Sequence, residues 1–497
     1  MRFKVKDVDI STGDTLVAIL NYEDAVYHGL HPGDRLRIAR GKRSTIAILD
    51  IAESDIQVKR GQIGLMEEVL REIGARDGDS VEAELEKSPA SIQFIKDKLN
   101  GEELTSGQMD SIINDIVHNR LTEVEMTYFV AGCYTKGLSK SETVSLTKAI
   151  VNNGDVFKPK SRLVVDKHCI GGVPGNRTTI VVVPIIAAAG LTVPKTSSRS
   201  ITSPAGTADT MEVLADVCIP LDKLKKVMAK SNACIIWGGA FGLAAADDRL
   251  IRMRHPLSLD PVGMVLASVL AKKKAVSATH VMIDIPVGKG AKIEDRGEAL
   301  RFKSLFEDIG AELGMKVQVV ITDGSQPIGN GIGPALEARD VLLVLSNDKR
   351  GPKDLREKSL DVAALIFEMV GKARKGEGRR LAEQLLDSGK AHKKMIEIIR
   401  AQGARATEPG MINIGRFRFG VRAPKTGKVT HIDNKVISRI AWSSGAPVDK
   451  GAGLFLHRHC GEIVSEDEVL YTIYAENREK LVFAKAQAAK NSGYVIG

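Results

Sequence analysis

The 497-residue chain carries 71 Lys and Arg against 62 Asp and Glu, a net charge of +9, with 43% hydrophobic and 27% charged residues. That mixture belongs to globular proteins, and the length suggests about three domains around separate cores. Charges of both signs interleave and only 4% of residues are aromatic, which argues against a nucleic-acid partner bound by basic stripes and stacked rings. The positive field suits anionic metabolites instead.

Five cysteines (Cys133, Cys169, Cys218, Cys234 and Cys460) are odd in number and never in C-x-x-C spacing, which fits a reducing compartment and not a zinc site. The opening M-R-F-K-V-K-D-V-D has no apolar core of signal-peptide length, and no apolar run approaches the roughly 18 residues of a membrane span. A cytoplasmic protein without a membrane partner is expected.

Residues 1–85 read as short strands with a weak duplication: Gly29-Leu30-His31-Pro32-Gly33-Asp34-Arg35-Leu36 resembles Gly74-Ala75-Arg76-Asp77-Gly78-Asp79-Ser80-Val81, 45 positions on. Each copy follows a short helical candidate, Glu23–Tyr27 and Met66–Ile73, and the P-G-D and D-G-D triplets lead into alternating strands. A small pseudo-symmetric N-terminal β-barrel, serving assembly, is expected. Residues 86–160 turn helical. Met109, Ile112, Ile113 and Ile116 share a helix face, Thr122-x-x-Glu125 and Ser139-x-x-Glu142 have capping-box spacing, and Gly137 suits a helix end.

Residues 161–405 alternate strand and helix, predicting an α/β domain with a mainly parallel sheet. Strands are expected at Leu163–Asp166, Leu191–Lys195, Cys234–Trp237, Val281–Ile285, Val317–Thr322 and Val341–Leu345, and helices at Thr178–Ala189, Leu221–Lys230, Val262–Lys274, Ala299–Leu313 and Leu360–Val370. Residues 406–497 return to strands at Val421–Ala423 and Val429–Ile432, with a helix over Asn477–Ala489, as a C-terminal α+β domain. The basic runs Lys272-Lys273-Lys274 and Arg374-Lys375 with Arg379-Arg380 read as solvated helix faces.

Four polar segments stand out, and most of their residues follow strand candidates, where ligands of such sheets bind. The first is Asp166-Lys167-His168-Cys169 with Gly171, Gly172 and Gly175 before a helix; glycine loops at helix starts hold anions, though they also serve plain turns. The second, Lys195 to Thr207, gathers hydroxyls around Arg199, which can grip a phosphate with two parallel bonds. The third runs from Arg252 to Pro261 and on to Ser268 and Lys272. Asp260 there precedes a helix-starting proline, so capping competes with catalysis as its role. The fourth is Val287-Gly288-Lys289-Gly290-Ala291-Lys292.

The series Asp166-Lys167-His168-x-x-Gly171-Gly172-Val173, Ser197-x-Arg199 with Gly206-Thr207, and Asp260 with Ser268 and Lys272 resembles the thymidine/pyrimidine nucleoside phosphorylase family in order and spacing, from about residue 88 to the end. The resemblance implies a helical domain and a phosphate-binding α/β domain on either side of a cleft, a C-terminal α+β domain, and a homodimer or larger homo-oligomer. The family motif D-K-H-S-x-G-G-V-G-D-K is altered here by Cys169, an inserted Pro174 and Asn176. Ser198, Ser200, Thr202 and Ser203 replace residues of the motif S-G-R-G-x-G-H-T-G-G-T. These changes resemble the archaeal branch that acts on nucleoside 5′-monophosphates such as AMP, where a second phosphate needs a second set of donors.

The same resemblance implies small-molecule substrates, AMP and phosphate, with no metal or organic cofactor. Phosphate is held by Lys167, Cys169, Gly171, Ser197 and Thr207, and the nucleotide by Gly172, Ser198, Arg199, Ser200, Ile201, Thr202, Ser203, Thr207, Ser268 and Lys292. Asp260 is the implied general acid for the departing base, a role that calls for a carboxyl kept protonated by burial or a nearby anion. A thymidine or uridine phosphorylase is the alternative enzyme, and a nucleotide sensor without turnover the alternative of another class.

Overall fold

The computed structural model describes residues 1–13, 15–200, 203–242, 245–257 and 259–497. It divides into two compact units, Met1–Asn153 with Ala245–Ser268, and Gly154–Ala244 with Val269–Gly497. Among the described residues no helix is long and apolar enough to cross a membrane.

The first unit opens with β1 (Arg2–Asp7), β2 (Val17–Asn21), α1 (Tyr22–His28), β3 (Arg35–Arg40), β4 (Arg43–Ala52), β5 (Gln62–Leu65), α2 (Glu67–Ile73) and β6 (Ser80–Leu85). The strands close into a barrel in the order β1-β5-β2-β4-β3-β6 around Leu20, Leu36, Ile38, Leu49, Ile63 and Leu65. Its pairings repeat about a pseudo-twofold axis: β1 with β5 and β4 with β2 are parallel, while β1 with β6 and β4 with β3 are antiparallel. The turns repeat in detail. Gly29 and Gly74 end their helices at φ 67° and 63°, where a side chain would be strained. His31 N donates to Asp34 Oδ2 and Arg76 N to Asp79 Oδ2, both at 2.8 Å. Gly33 N donates to Leu49 O at 2.8 Å and Gly78 N to Val5 O at 2.9 Å. The 45-residue offset is a duplicated strand–helix–turn–strand unit.

Four helices follow: α3 (Ser91–Asn100), α4 (Ser106–Val117), α5 (Glu123–Lys136) and α6 (Lys140–Asn152). The capping boxes at Thr122/Glu125 and Ser139/Glu142 both form, and Gly137 ends α5. Glu142 is buried as well, accepting from Lys98 Nζ at 2.7 and 2.8 Å and from Leu104 N at 2.9 Å, so one carboxylate caps α6 and ties it to α3.

The second unit carries β7 (Val165–Cys169), α7 (Thr178–Ala188), β8 (Val193–Ser197), α8 (Thr207–Leu214), α9 (Leu221–Ser231) and β9 (Ala233–Trp237). The chain then enters the first unit for α10 (Ala245–Arg254) and leaves it within α11 (Val262–Ala275). Residues 245–268, inside the range expected for the α/β domain, therefore group with the helices. Next come β10 (His280–Val287), α12 (Arg296–Glu312), β11 (Lys316–Asp323), β12 (Gly331–Ile332), α13 (Pro334–Leu345), α14 (Lys353–Met369), α15 (Gly378–Asp387) and α16 (Lys390–Gln402).

The long strands are parallel: β7 lies between β10 and a Val164–Thr192 bridge to the β8–β9 pair, and β11 flanks β10. Val341–Leu345, expected as a strand, is the last turn of α13. A short V-L-L-V-L run fits either element, and burial around the helix removes the amphipathic signal that would have decided it. The C-terminal part adds β13 (Phe417–Arg422), β14 (Gly427–Ile432), α17 (Asn434–Ser443), β15 (Gly453–Leu456), β16 (Ile463–Val464), β17 (Val469–Ala475), α18 (Arg478–Lys490) and β18 (Tyr494–Ile496) around Leu454, Tyr471 and Ile473.

Candidate anion site at the strand ends

Buried opposite charges lie along β7, β8 and β10, joined by lysines of α11 and α14. Asp166 Oδ2 lies 2.7 Å from Lys273 Nζ and its Oδ1 3.5 Å from Lys195 Nζ. Asp284 Oδ2 lies 3.3 Å from Lys167 Nζ and 3.4 Å from Lys358 Nζ, and Asp284 Oδ1 accepts from Thr322 Oγ1 at 2.6 Å. Lys167, Asp166 and Asp284 are 0% exposed, Lys273 1% and Lys195 3%. Four lysines on two aspartates leave a surplus of positive charge where desolvation makes surplus charge costly. Lys195 registers the surplus: burial, Lys273 and Lys167 push its proton affinity well below the usual lysine value against the opposing pull of Asp166.

The run Lys272-Lys273-Lys274 is thus not a plain solvated face. Successive helix residues point about 100° apart, so one of three adjacent lysines can face inward. Lys273 does, and Lys274 Nζ is spent on Leu313 O at 2.7 Å.

His168 is driven well below its usual pKa by burial and then by Lys273, Lys195, Lys272 and Lys167. It stays neutral in the folded chain while the unfolded chain takes up a proton near pH 6.5, so stability falls with pH in that range. From pH 7.5 to 5.5 this one group should remove on the order of 1 kcal/mol of unfolding free energy. Urea titrations should show a flatter pH slope for His168→Gln than for the parent; equal slopes would contradict the assignment.

The loop after β7 carries Gly171, Gly172 and Gly175 at φ 98°, 89° and 72°, and among the described residues no side chain caps α7 behind it. A Cβ at Gly172 would stand 2.2 Å from Lys292 N, so this glycine lets the first and fourth predicted segments touch by their backbones. Burial and Asp284 raise the pKa of the Cys169 thiol, against Lys167 and Lys358, and Asn176 Nδ2 donates to its sulfur at 3.4 Å. Cys169 is a neutral thiol.

In the second segment Ser197 Oγ donates to Ile236 O at 2.8 Å. Arg199 grips Glu212 with two bonds of 2.8 and 2.9 Å, reaches Asp209 at 3.3 Å and covers Trp237 at 5.0 Å. Its fork is committed to carboxylates. Ser200 N and Gly206 N donate to Asp209 Oδ2 at 2.7 and 2.9 Å, and the Ser200 hydroxyl reaches Ser203 O, which folds the loop tightly. Ser203 Oγ donates to Ala205 O at 2.7 Å, and Ser198 is half-buried. Thr207 opens α8 and receives Arg177 Nη1 at 3.3 Å. Ile201 and Thr202 lie outside the described residues.

In the first unit, Val265 N donates to Pro261 O at 3.0 Å, which puts Pro261 at the capping position of α11 and Asp260 one residue before it. The Asp260 side chain is 50% exposed and 3.6 Å from Arg254 Nη1. The expected shelter of burial is not found there, since Asp260 itself is exposed to solvent. Ser268 Oγ donates to buried Asp247 at 2.7 Å, and Lys292 of the second unit is exposed.

Sequence reading missed the contribution of the C-terminal part. Asn434 Nδ2 donates to Gly324 O at 2.9 Å and Lys289 O at 3.4 Å, joining the loops after β10 and β11. Trp442 Nε1 donates to Ser203 O at 3.3 Å, and Lys450 pairs with Glu212 at 2.9 Å. It also missed Asp284 inside β10, Thr322 near the end of β11 and Lys358 inside α14, none of which stands in a local motif.

Residues 161–392 match the model of the glycosyl transferase family α/β domain, 92–154 the helical bundle domain of that family, and 428–495 the pyrimidine nucleoside phosphorylase C-terminal domain. A Legionella pneumophila (strain Paris) protein named provisionally as a thymidine phosphorylase is 44% identical over 97% of this chain and 92% of its own. The AMP phosphorylase of Pyrococcus furiosus is also 44% identical, over 97% of this chain and 95% of its own, and that of Thermococcus sibiricus 42%, over 99% and 97%. The anthranilate phosphoribosyltransferase of Thermus thermophilus shares the fold at a TM-score of 0.52 and 17% identity, over 62% of this chain and 98% of its own. Identity of this degree along nearly the whole length makes the chain a member of the family that unites the thymidine and AMP phosphorylases.

Proposed function

We propose that the chain catalyses phosphorolysis of nucleoside 5′-monophosphates, AMP foremost, to ribose 1,5-bisphosphate and free base. The observation that carries this reading is the surplus of buried positive charge along β7, β8 and β10, with a glycine loop directly after β7, a surplus that a phosphate dianion neutralises. An oxygen of inorganic phosphate attacks C1′, the C1′–N bond breaks, and the base leaves with the bonding pair and takes a proton.

Lys167, the Gly171 N–H, Ser197, Cys169 and Thr207 are assigned to the attacking phosphate. Gly172, the loop Ser198-Arg199-Ser200-Ile201-Thr202-Ser203, Thr207, Ser268 and Lys292 are assigned to the nucleotide, and Asp260 to protonation of the base. Since the Arg199 fork is held by Glu212 and Asp209, its part in this assignment is to shape the loop whose hydroxyls meet the 5′-phosphate. The names of the archaeal relatives support AMP over a free nucleoside. No metal or organic cofactor enters, because phosphate is the second substrate. The duplicated barrel of residues 1–85 is assigned to assembly of a homodimer or larger oligomer in the cytoplasm.

Incubation with phosphate and, separately, AMP, adenosine and thymidine tests the reading. Ribose 1,5-bisphosphate from AMP is the expected product. Base release from thymidine alone would make the chain a nucleoside phosphorylase, and AMP binding without release would make it a sensor.

A further inference from the structure

Asp284 is shared by two cations although one would neutralise it. Lys167 and Lys358 approach the same oxygen, Oδ2, at 3.3 and 3.4 Å. The second is anchored independently: Lys358 Nζ donates to Thr322 Oγ1 at 2.9 Å, and that hydroxyl donates to Asp284 Oδ1 at 2.6 Å. Burial works to raise the Asp284 pKa, and Lys167, Lys358 and the Thr322 hydroxyl together outweigh it and hold the carboxylate ionised.

Lys167 cannot serve phosphate fully while it is the counterion of a buried carboxylate. Pulling a lone partner from such a carboxylate strands a buried charge, one of the costliest local changes in a protein. A lysine stem is flexible enough to turn between two acceptors. We infer that Lys358 is a positioning residue that keeps Asp284 neutralised while Lys167 turns its ammonium to the attacking phosphate. The inference rests on the proposed phosphate reading and adds to it a residue that acts through another and touches no substrate.

Steady-state kinetics and equilibrium dialysis with inorganic phosphate test this on the full chain, comparing the parent with Lys358→Met, Lys358→Arg and the double variant Asp284→Asn/Lys358→Met. Lys358→Met should raise KM for phosphate, and its Kd by dialysis, about tenfold or more. Its kcat at saturating phosphate and its KM for AMP should move by about twofold at most. Lys358→Arg should stay near the parent. In the double variant, where no carboxylate remains to lock Lys167, phosphate affinity should recover toward the parent, a coupling that lost packing alone would not produce. Unchanged phosphate affinity in Lys358→Met, or no recovery in the double variant, overturns the inference. If Lys358→Met does not fold, Lys358→Gln takes its place under the same criteria. A parent that binds phosphate but releases no base contradicts the enzymatic reading and leaves the dialysis comparison to decide this one.

Discussion

Asp260→Asn is expected to lower turnover with AMP by about a hundredfold to a thousandfold, the usual worth of a positioned proton donor. The change keeps the shape of the side chain and removes the carboxyl group assigned to protonate the base, so the dissociation constant for AMP should change little. Asp260 sits just ahead of the first hydrogen-bonded turn of α11, where Pro261 supplies the capping carbonyl, so the helix should form as before. Rapid-quench measurement of base release, with AMP binding followed by calorimetry, separates the two effects. A variant that retains parental turnover removes Asp260 from the mechanism, and one that loses binding in proportion makes it a binding group.

Asp166→Asn should have the largest effect on stability. The carboxylate is fully buried and is the counterion of both Lys195 and Lys273. Asparagine fills the same volume, so packing is preserved and only the charge is lost. Removing one partner of a buried ion pair costs about 3–5 kcal/mol. Two lysines depend on this one, but Lys195, whose proton affinity is already depressed, can shed its proton and limit the loss, which puts the expectation at about 3 kcal/mol. Urea unfolding at neutral pH provides the measurement, and a loss below about 1 kcal/mol would show that the cluster is better solvated than its burial implies.

Both changes address residues that the sequence singles out, yet their surroundings could not be read there. The two capping boxes, the end of α5 at Gly137, the turns at Pro32-Gly33-Asp34 and Asp77-Gly78-Asp79 and the glycine loop after β7 were all legible, because each is settled within a few residues by backbone hydrogen bonds and side-chain size. The 45-residue repeat was legible for the same reason, since each copy carries its own turn chemistry. Where local patterning was ambiguous it failed: the aliphatic run at 341–345 suits strand or helix, and only its position against the core made it helix. Residues 245–268 sit between two α/β segments in the sequence yet cluster with the first unit.

The sequence by itself determined most of the local elements, the order of the polar segments and the family to which the motifs point. The tertiary structure alone decided which charges are buried and what neutralises them. Lys273 meets Asp166 across 107 residues and Lys167 meets Asp284 across 117. The worth of an ionised side chain depends on its distance from water and on partners that arrive from anywhere in the chain. Neither is encoded in a residue's neighbours. A lysine that looks like surface in the sequence can therefore be part of a buried ion-pair cluster, and Lys358 becomes visible beside Lys167 only after α14 has brought it to β10 and β11.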